Sequence, residues 1–183
     1  MSDDIMVNNC APTLAGIKTG SLFSCQVKTD QELRNTIRRW NGRLKEKGLR
    51  VLPLRFRNGK ALIYVFRPQS LRKDLCREES FQILQQNGYS SAHMETCLKH
   101  LIFRLRTEEQ FPHEIGLFLG YPPEDVKGFI DNKAGNYKCI GYWKVYGNVN
   151  TAQKLFQSYK TCKEIYTKLY RKGTAMEELA VAI

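Results

Sequence analysis

Along this chain the spacing of apolar side chains shifts between about two and about 3.6 residues, and each shift marks an element. Ser21 to Val27 (SLFSCQV) predicts a strand. Thr29 and Glu32 have capping-box spacing. Leu33, Ile37, Trp40 and Leu44 then repeat at helical intervals until Gly48, which predicts a helix. Asn58-Gly59 divides the apolar run from Val51 to Phe66. Both central residues of a type I′ turn need positive φ, Asn-Gly meets that need, and the run predicts a hairpin. A two-residue loop pairs Phe56 with Ala61, Leu54 with Ile63 and Leu52 with Val65, giving one wholly apolar face. The other face carries Arg55, Arg57 and Lys60 near the turn, then Leu62, Tyr64 and Phe66. A two-stranded ribbon is marginal alone, so the 21–27 strand is expected to pair with it.

Beyond the hairpin the pattern is mostly helical. Ser70 is the expected cap of a helix reaching Asn87-Gly88, with Leu71, Leu75, Phe81 and Leu84 as its apolar positions. Ser90 or Ser91 opens another, with Met94, Cys97, Leu98, Leu101 and Leu105 on one stripe. Phe111 to Tyr121 is short, apolar and bracketed by Pro and Gly, and reads as a buried strand. Pro122-Pro123-Glu124-Asp125 reads as a helix start, residues 132–136 as a loop and Cys139 to Tyr146 as a strand. A last helix over 150–171 is expected to bury Ala152, Leu155, Phe156, Tyr159, Cys162 and Leu169. Residues 1–9 read as a flexible lead-in, and Pro12 starts a short turn in the stretch that follows. The expected fold is a single α+β domain over 10–183. It has a small, largely antiparallel sheet with an Asn-Gly hairpin, covered by about five helices.

Composition narrows the class. With 42% apolar and 26% charged residues in 183, the chain can build a core and is not a disordered tail. No apolar run approaches the ~20 residues of a membrane helix. The start, Met1-Ser2-Asp3-Asp4, is acidic and unlike a secretory signal. Six Cys without paired spacing read as reduced thiols, so a cytoplasmic protein is expected. The net charge of +11 is localised: Lys28 to Lys73 holds 14 basic and three acidic residues, and the rest holds 15 of each. That region suits either an anionic partner or an ordinary solvated basic surface.

The chemistry-bearing residues are few. No P-loop, G-x-G-x-x-G, G-x-S-x-G, C-x-x-C or H-E-x-x-H motif occurs, and no metal site is expected. Cys10, at the start of a turn, is a candidate nucleophile, with Lys18 adding positive charge, His113 as base and Glu114 or Asp125 to orient it. The alternative is that Cys10 is simply a small core residue and His113 a strand end. The His113 segment loosely resembles the His strand of papain-like hydrolases, without their Asp-Cys-Ser-Gly nucleophile pattern. Cys139 lies near Tyr142, Trp143, Lys144 and Tyr146, whose rings and cation would suit a flat cofactor, flavin or haem, although aromatic-rich strands more often form core. Lys18, His113, Glu114, Tyr121 and Lys144 are expected to face one pocket, with Cys10 beside them; the alternative is that their segments are unrelated turns at opposite ends of the domain. Arg55, Arg57 and Lys60 beside Tyr64 and Phe66 suit either an acidic protein partner or single-stranded nucleic acid.

Four segments carry a resemblance: CAPTLAGIKTGSLF at 10–23, RVLPLRFRNGKALIYVFRP at 50–68, FPHEIGLFLGYPPEDVKGF at 111–129 and YKCIGYWKVYG at 137–147. In that order they resemble, over nearly the whole chain, a family of small uncharacterised bacterial proteins found mainly in anaerobic Gram-positive bacteria. The resemblance assigns no site residue. It implies an accessory role in redox or iron metabolism, with a flavodoxin-like protein as one acidic partner that the basic region would suit. A thiol-dependent enzyme using Cys10 and His113 is the alternative, and single-stranded nucleic-acid binding a second.

Overall fold

A computed structural model describes residues 2–183. In chain order the elements are α1 (Asp3–Leu14), β1 (Gly20–Gln26), α2 (Asp30–Leu44), a 3-10 turn (Lys45–Lys47), β2 (Arg50–Arg57), β3 (Lys60–Phe66), α3 (Pro68–Leu75) and α4 (Glu78–Gln86). There follow α5 (Met94–Thr107), α6 (Ile115–Phe118), α7 (Pro123–Asp131), β4 (Cys139–Ile140), β5 (Lys144–Val145), α8 (Val149–Arg171) and α9 (Met176–Leu179). The fold is α+β, with an antiparallel three-stranded sheet and a two-stranded ribbon. No helix among the described residues is long and apolar enough to cross a membrane. Contacts group the chain into two compact units: residues up to Gln69 with Tyr159–Ile183, and Ser70–Ser158.

In the first unit the strand order is β1-β3-β2, so the hairpin and the SLFSCQ strand pair as the sequence predicts. α1 packs on β1 and α2 on β2. Met6, Val7, Cys10 and Leu14 of α1 meet Phe23, Ile37, Trp40, Ile63 and Val65 in the core. Residues 3–9, read as a lead-in, are therefore helix. The helical repeat Met6–Cys10–Leu14 begins before Cys10 and carries Pro12 inside it.

The hairpin register also departs from expectation. Phe56 pairs with Ala61, but Pro53 then opposes Ile63 and Val51 opposes Val65, with Leu54 extra in a bulge. Pro53 has no N–H for the ladder, and a bulge beside it absorbs that loss.

Arg67 closes this unit. The residue is 1% exposed and meets no carboxylate among the described residues; its side chain donates to four main-chain carbonyls. Nε bonds Thr13 O (2.8 Å), Nη1 bonds Lys47 O (3.0 Å), and Nη2 bonds Leu14 O (2.6 Å) and Val181 O (2.8 Å). The end of α1, the 3-10 turn and the segment after α9 thus share one guanidinium.

In the second unit the helix expected over 70–87 is two. The chain breaks at Cys76-Arg77 and restarts with Glu78 and Glu79 in the first turn of α4, where acids offset the dipole. The buried strand expected over 111–121 is instead the single helical turn α6, ended by Gly120 at φ 76°. Ile115 to Leu119 are buried on all sides, and a short run buried all round has no period to read.

Arg67→Met should remove one hydrogen bond from each of four carbonyls, of which Thr13 O keeps Gly16 N and Leu14 O keeps Val181 N as donors. We expect urea unfolding of the variant to show a loss of about 2–4 kcal/mol, taking ~0.5–1 kcal/mol for each of the four bonds lost. Arg67→Lys, with fewer and differently aimed donors, should recover only part. A change within about 0.5 kcal/mol, the scatter of ordinary surface substitutions, would contradict the role given to Arg67.

Candidate functional site

The residues expected to share a pocket fall into two groups. Cys10 and Lys18 belong to the first unit, and His113, Glu114, Tyr121, Cys139, Trp143 and Lys144 to the second.

Cys10 is not at a helix start. It lies in the eighth position of α1, fully buried, and burial pushes its thiol up to about 12. The Lys18 charge and a hydrogen bond with Ser21 pull the other way without cancelling burial. Burial likewise lowers Lys18 to about 8, while its Nζ donates to Gly20 O at 2.5 Å. Beside them Thr13 and Ser21 hydroxyls share a hydrogen bond of 2.8 Å. A thiol held protonated in this setting is a core residue, which removes the thiolate on which the nucleophile reading depended.

The second unit holds a concavity of ≈ 310 Å³ lined by His113, Tyr121, Phe129, Tyr142, Trp143 and Lys144 among others. Five of these, His113, Tyr121, Tyr142, Trp143 and Lys144, are sequence candidates. The site is organised by Asp125, 3% exposed in the first turn of α7. Its Oδ2 accepts from Trp143 Nε1 at 2.6 Å, and its Oδ1 accepts from the backbone N–H of Tyr146 and of Gly147, both at 2.7 Å. One carboxylate therefore ties the β4–β5 ribbon to α7 by three charge-assisted bonds. Tyr121 stacks on Trp143 at 4.7 Å between ring centroids, and Phe156 meets the indole edge to face at 4.5 Å. Burial raises the Tyr121 phenol to about 12, so it remains neutral.

Two glycines let these rings close on bare backbone. A Cβ at Gly141 would overlap the Phe156 ring, and one at Gly128 would overlap Tyr146. At the mouth, His113 is exposed and lies 5.0 Å from Phe129 between ring centroids. Lys144 Nζ bonds Ala134 O at 2.7 Å and sits 4.6 Å above the Tyr137 ring. Phe111, Ile140 and Tyr142 leave an apolar rim open to solvent.

Glu114 does not face this concavity. It is 1% exposed, and its Oε1 accepts from Tyr89 Oη (2.8 Å) and Arg104 Nη1 (2.6 Å). Its Oε2 has no hydrogen-bond partner among the described residues. It anchors the segment between His113 and Ile115 and does not orient a base. Cys139 is half-buried on β4, opposite Val145, outside the lining. Among the described residues no group of three or more His, Cys, Asp or Glu could hold a metal ion.

Arg57 and Lys60 are exposed at the hairpin tip, and Arg55, two residues before Arg57, is half-buried. Tyr64 and Phe66, expected to offer their faces to bases, are buried and stacked on each other at 4.7 Å. That removes the stacking platform a single-strand binder requires.

Phe111, Phe129 and Ile140 were missed. Phe129 lies one helical turn from Asp125 and Val126, so α7's repeat placed it on the same face. Nothing in the sequence brought Phe111 or Ile140 to it.

Alkylation near neutral pH should label exposed Cys76 first and half-buried Cys139 next, with Cys10 modified only after unfolding. Peptide mapping checks this. Early modification of Cys10 would restore it as a reactive thiol.

A family described as "Protein of unknown function (DUF3793)" matches residues 6–180, and the chain belongs to that family. No curated protein and no solved structure matches the chain.

Proposed function

We propose that this DUF3793 protein is a ligand-binding module whose second unit takes a flat aromatic molecule carrying an anionic group. The observation that supports this reading is the concavity in which Tyr121, Phe129, Tyr142 and Trp143 present ring surface beside Lys144 and His113. Ligand pockets span about 300–1,000 Å³ and are mostly apolar with a few placed polar groups. At ≈ 310 Å³ the site suits one ring system better than a macrocycle, which favours a flavin-like ring over haem. Offset stacking on such rings is worth about 0.5–1.5 kcal/mol per pair beyond area burial. Lys144 keeps N–H donors beyond the one used on Ala134 and can meet a carboxylate or phosphate at the rim. Asp125 has its charge met by three donors inside the protein, so it orders the walls without repelling an anion. A redox role would follow if the occupant were a flavin; stacking alone does not require it.

The chain has two tryptophans, Trp40 in the first unit and Trp143 at the site, so two indole N–H signals report separately on the two units. Titration with flavin mononucleotide or indole-3-acetate should shift the Trp143 signal and leave that of Trp40 in place. Phe129→Ala should weaken the affinity about ten-fold, the equivalent of ~1.4 kcal/mol, and Lys144→Met should weaken anionic ligands more than their neutral analogues. Absence of any Trp143 shift with either compound at millimolar concentration would overturn the proposal.

A further inference from the structure

The charge surplus of the chain belongs to the first unit, whereas that concavity belongs to the second. The first unit holds 18 of the 29 Lys+Arg and 8 of the 18 Asp+Glu, and the second unit is close to neutral. Within the first unit, Arg34, Arg38, Gly42 and Lys45 recur at helical spacing along the exposed side of α2 and the residue after it. They form a stripe about 16 Å long. Arg34 is tied to Asp30 at 2.6 Å, whereas Arg38 and Lys45 are exposed and make no ion pair among the described residues. Lys28, Arg57 and Lys60 continue the charge beyond the helix N-terminus, where Val27 N bonds Gly59 O at the hairpin tip (2.8 Å).

Gly42 supplies an independent observation. Gly costs about 1 kcal/mol relative to Ala inside a helix. A Cβ here would meet nothing within 4 Å, so no contact within the chain calls for its absence. A partner lying close along the helix backbone would.

The geometry points to this stripe as a docking surface for the phosphate backbone of double-stranded nucleic acid. A protein partner would need apolar or aromatic anchors at the centre of the contact. No large hydrophobic residue on α2, β2 or β3 is exposed. Single strands would need stacking rings, and the hairpin's Tyr64 and Phe66 are buried. A duplex asks only for spaced cations, because it carries one charge per ~1.7 Å of axis.

The test is fluorescence anisotropy of the full chain with a labelled duplex of about 20 base pairs across ~50–200 mM salt. We expect binding whose logarithm falls linearly with log salt. R38E/K45E, both solvent-facing, should weaken it more than about ten-fold and reduce the slope by about two. G42E should also weaken it, while K133E/K154E on the second unit should not. The proposal is overturned if no duplex binds at the lowest salt or if K133E/K154E weakens binding as much as R38E/K45E. Tighter binding of a single strand, or competition by poly-glutamate as effective as by unlabelled duplex, would also overturn it.

Discussion

A guanidinium buried without a carboxylate is the constraint on which the first unit turns. Removing a charge from water is costly unless its donors are met, and the Thr13, Leu14, Lys47 and Val181 carbonyls take four of the five Arg67 N–H groups. Three segments far apart in sequence must present oxygen to one plane. The ends of α1 and of the 3-10 turn must therefore leave space. Gly16 and Gly48, both at positive φ, do so, and a Cβ at Gly48 would come within 2.8 Å of Ile183 O. Burial lowers the Arg67 pKa, but an arginine so placed keeps its proton, and the carbonyl cage persists across the pH range in which proteins fold.

Asp125 plays the complementary part in the second unit. It is an anion satisfied by N–H donors, one from an indole and two from backbone, and it fixes a ribbon too short to be stable by its own pairing. The aromatic walls then pack where Gly128 and Gly141 leave no side chain in the way. Glu114 shows the cost of incomplete satisfaction: two donors reach Oε1 and none reaches Oε2, in a segment that also carries the exposed His113. The same accounting retires Cys10, whose neighbours favour the thiolate less than burial disfavours it.

What could be read from the sequence follows from the range of the interactions. The α2 capping box is seen as Glu32 N donating to Thr29 Oγ1 at 3.1 Å, and the Asn58-Gly59 turn has both residues at positive φ, because each is local. The bulge at Leu54 was missed because the reading paired residues outward from the turn and gave Pro53 no weight. α6 was missed because five consecutive buried residues carry no period. Tyr121, Trp143, His113 and Lys144 were singled out as chemistry-bearing residues in Gly- and Pro-rich segments, and the structure places them around one concavity. Lys18 and Glu114 were grouped with them because they lie in segments of the same Gly- and Pro-bearing kind, and that composition does not carry position.

The division of charge bears on how the two proposed surfaces would act. A nearly neutral second unit selects by shape and ring contact, and such contacts change little with salt because the groups are uncharged or desolvated. A first unit with a surplus of cations acts at long range, and its field falls off within about 10 Å at 0.1 M salt. Ligand binding at the aromatic concavity should therefore be nearly indifferent to ionic strength apart from the single contact at Lys144. Association through α2 should depend on it steeply. Two events with such different salt responses in one chain can be separated without any substitution, because high salt suppresses the association and leaves ligand binding measurable.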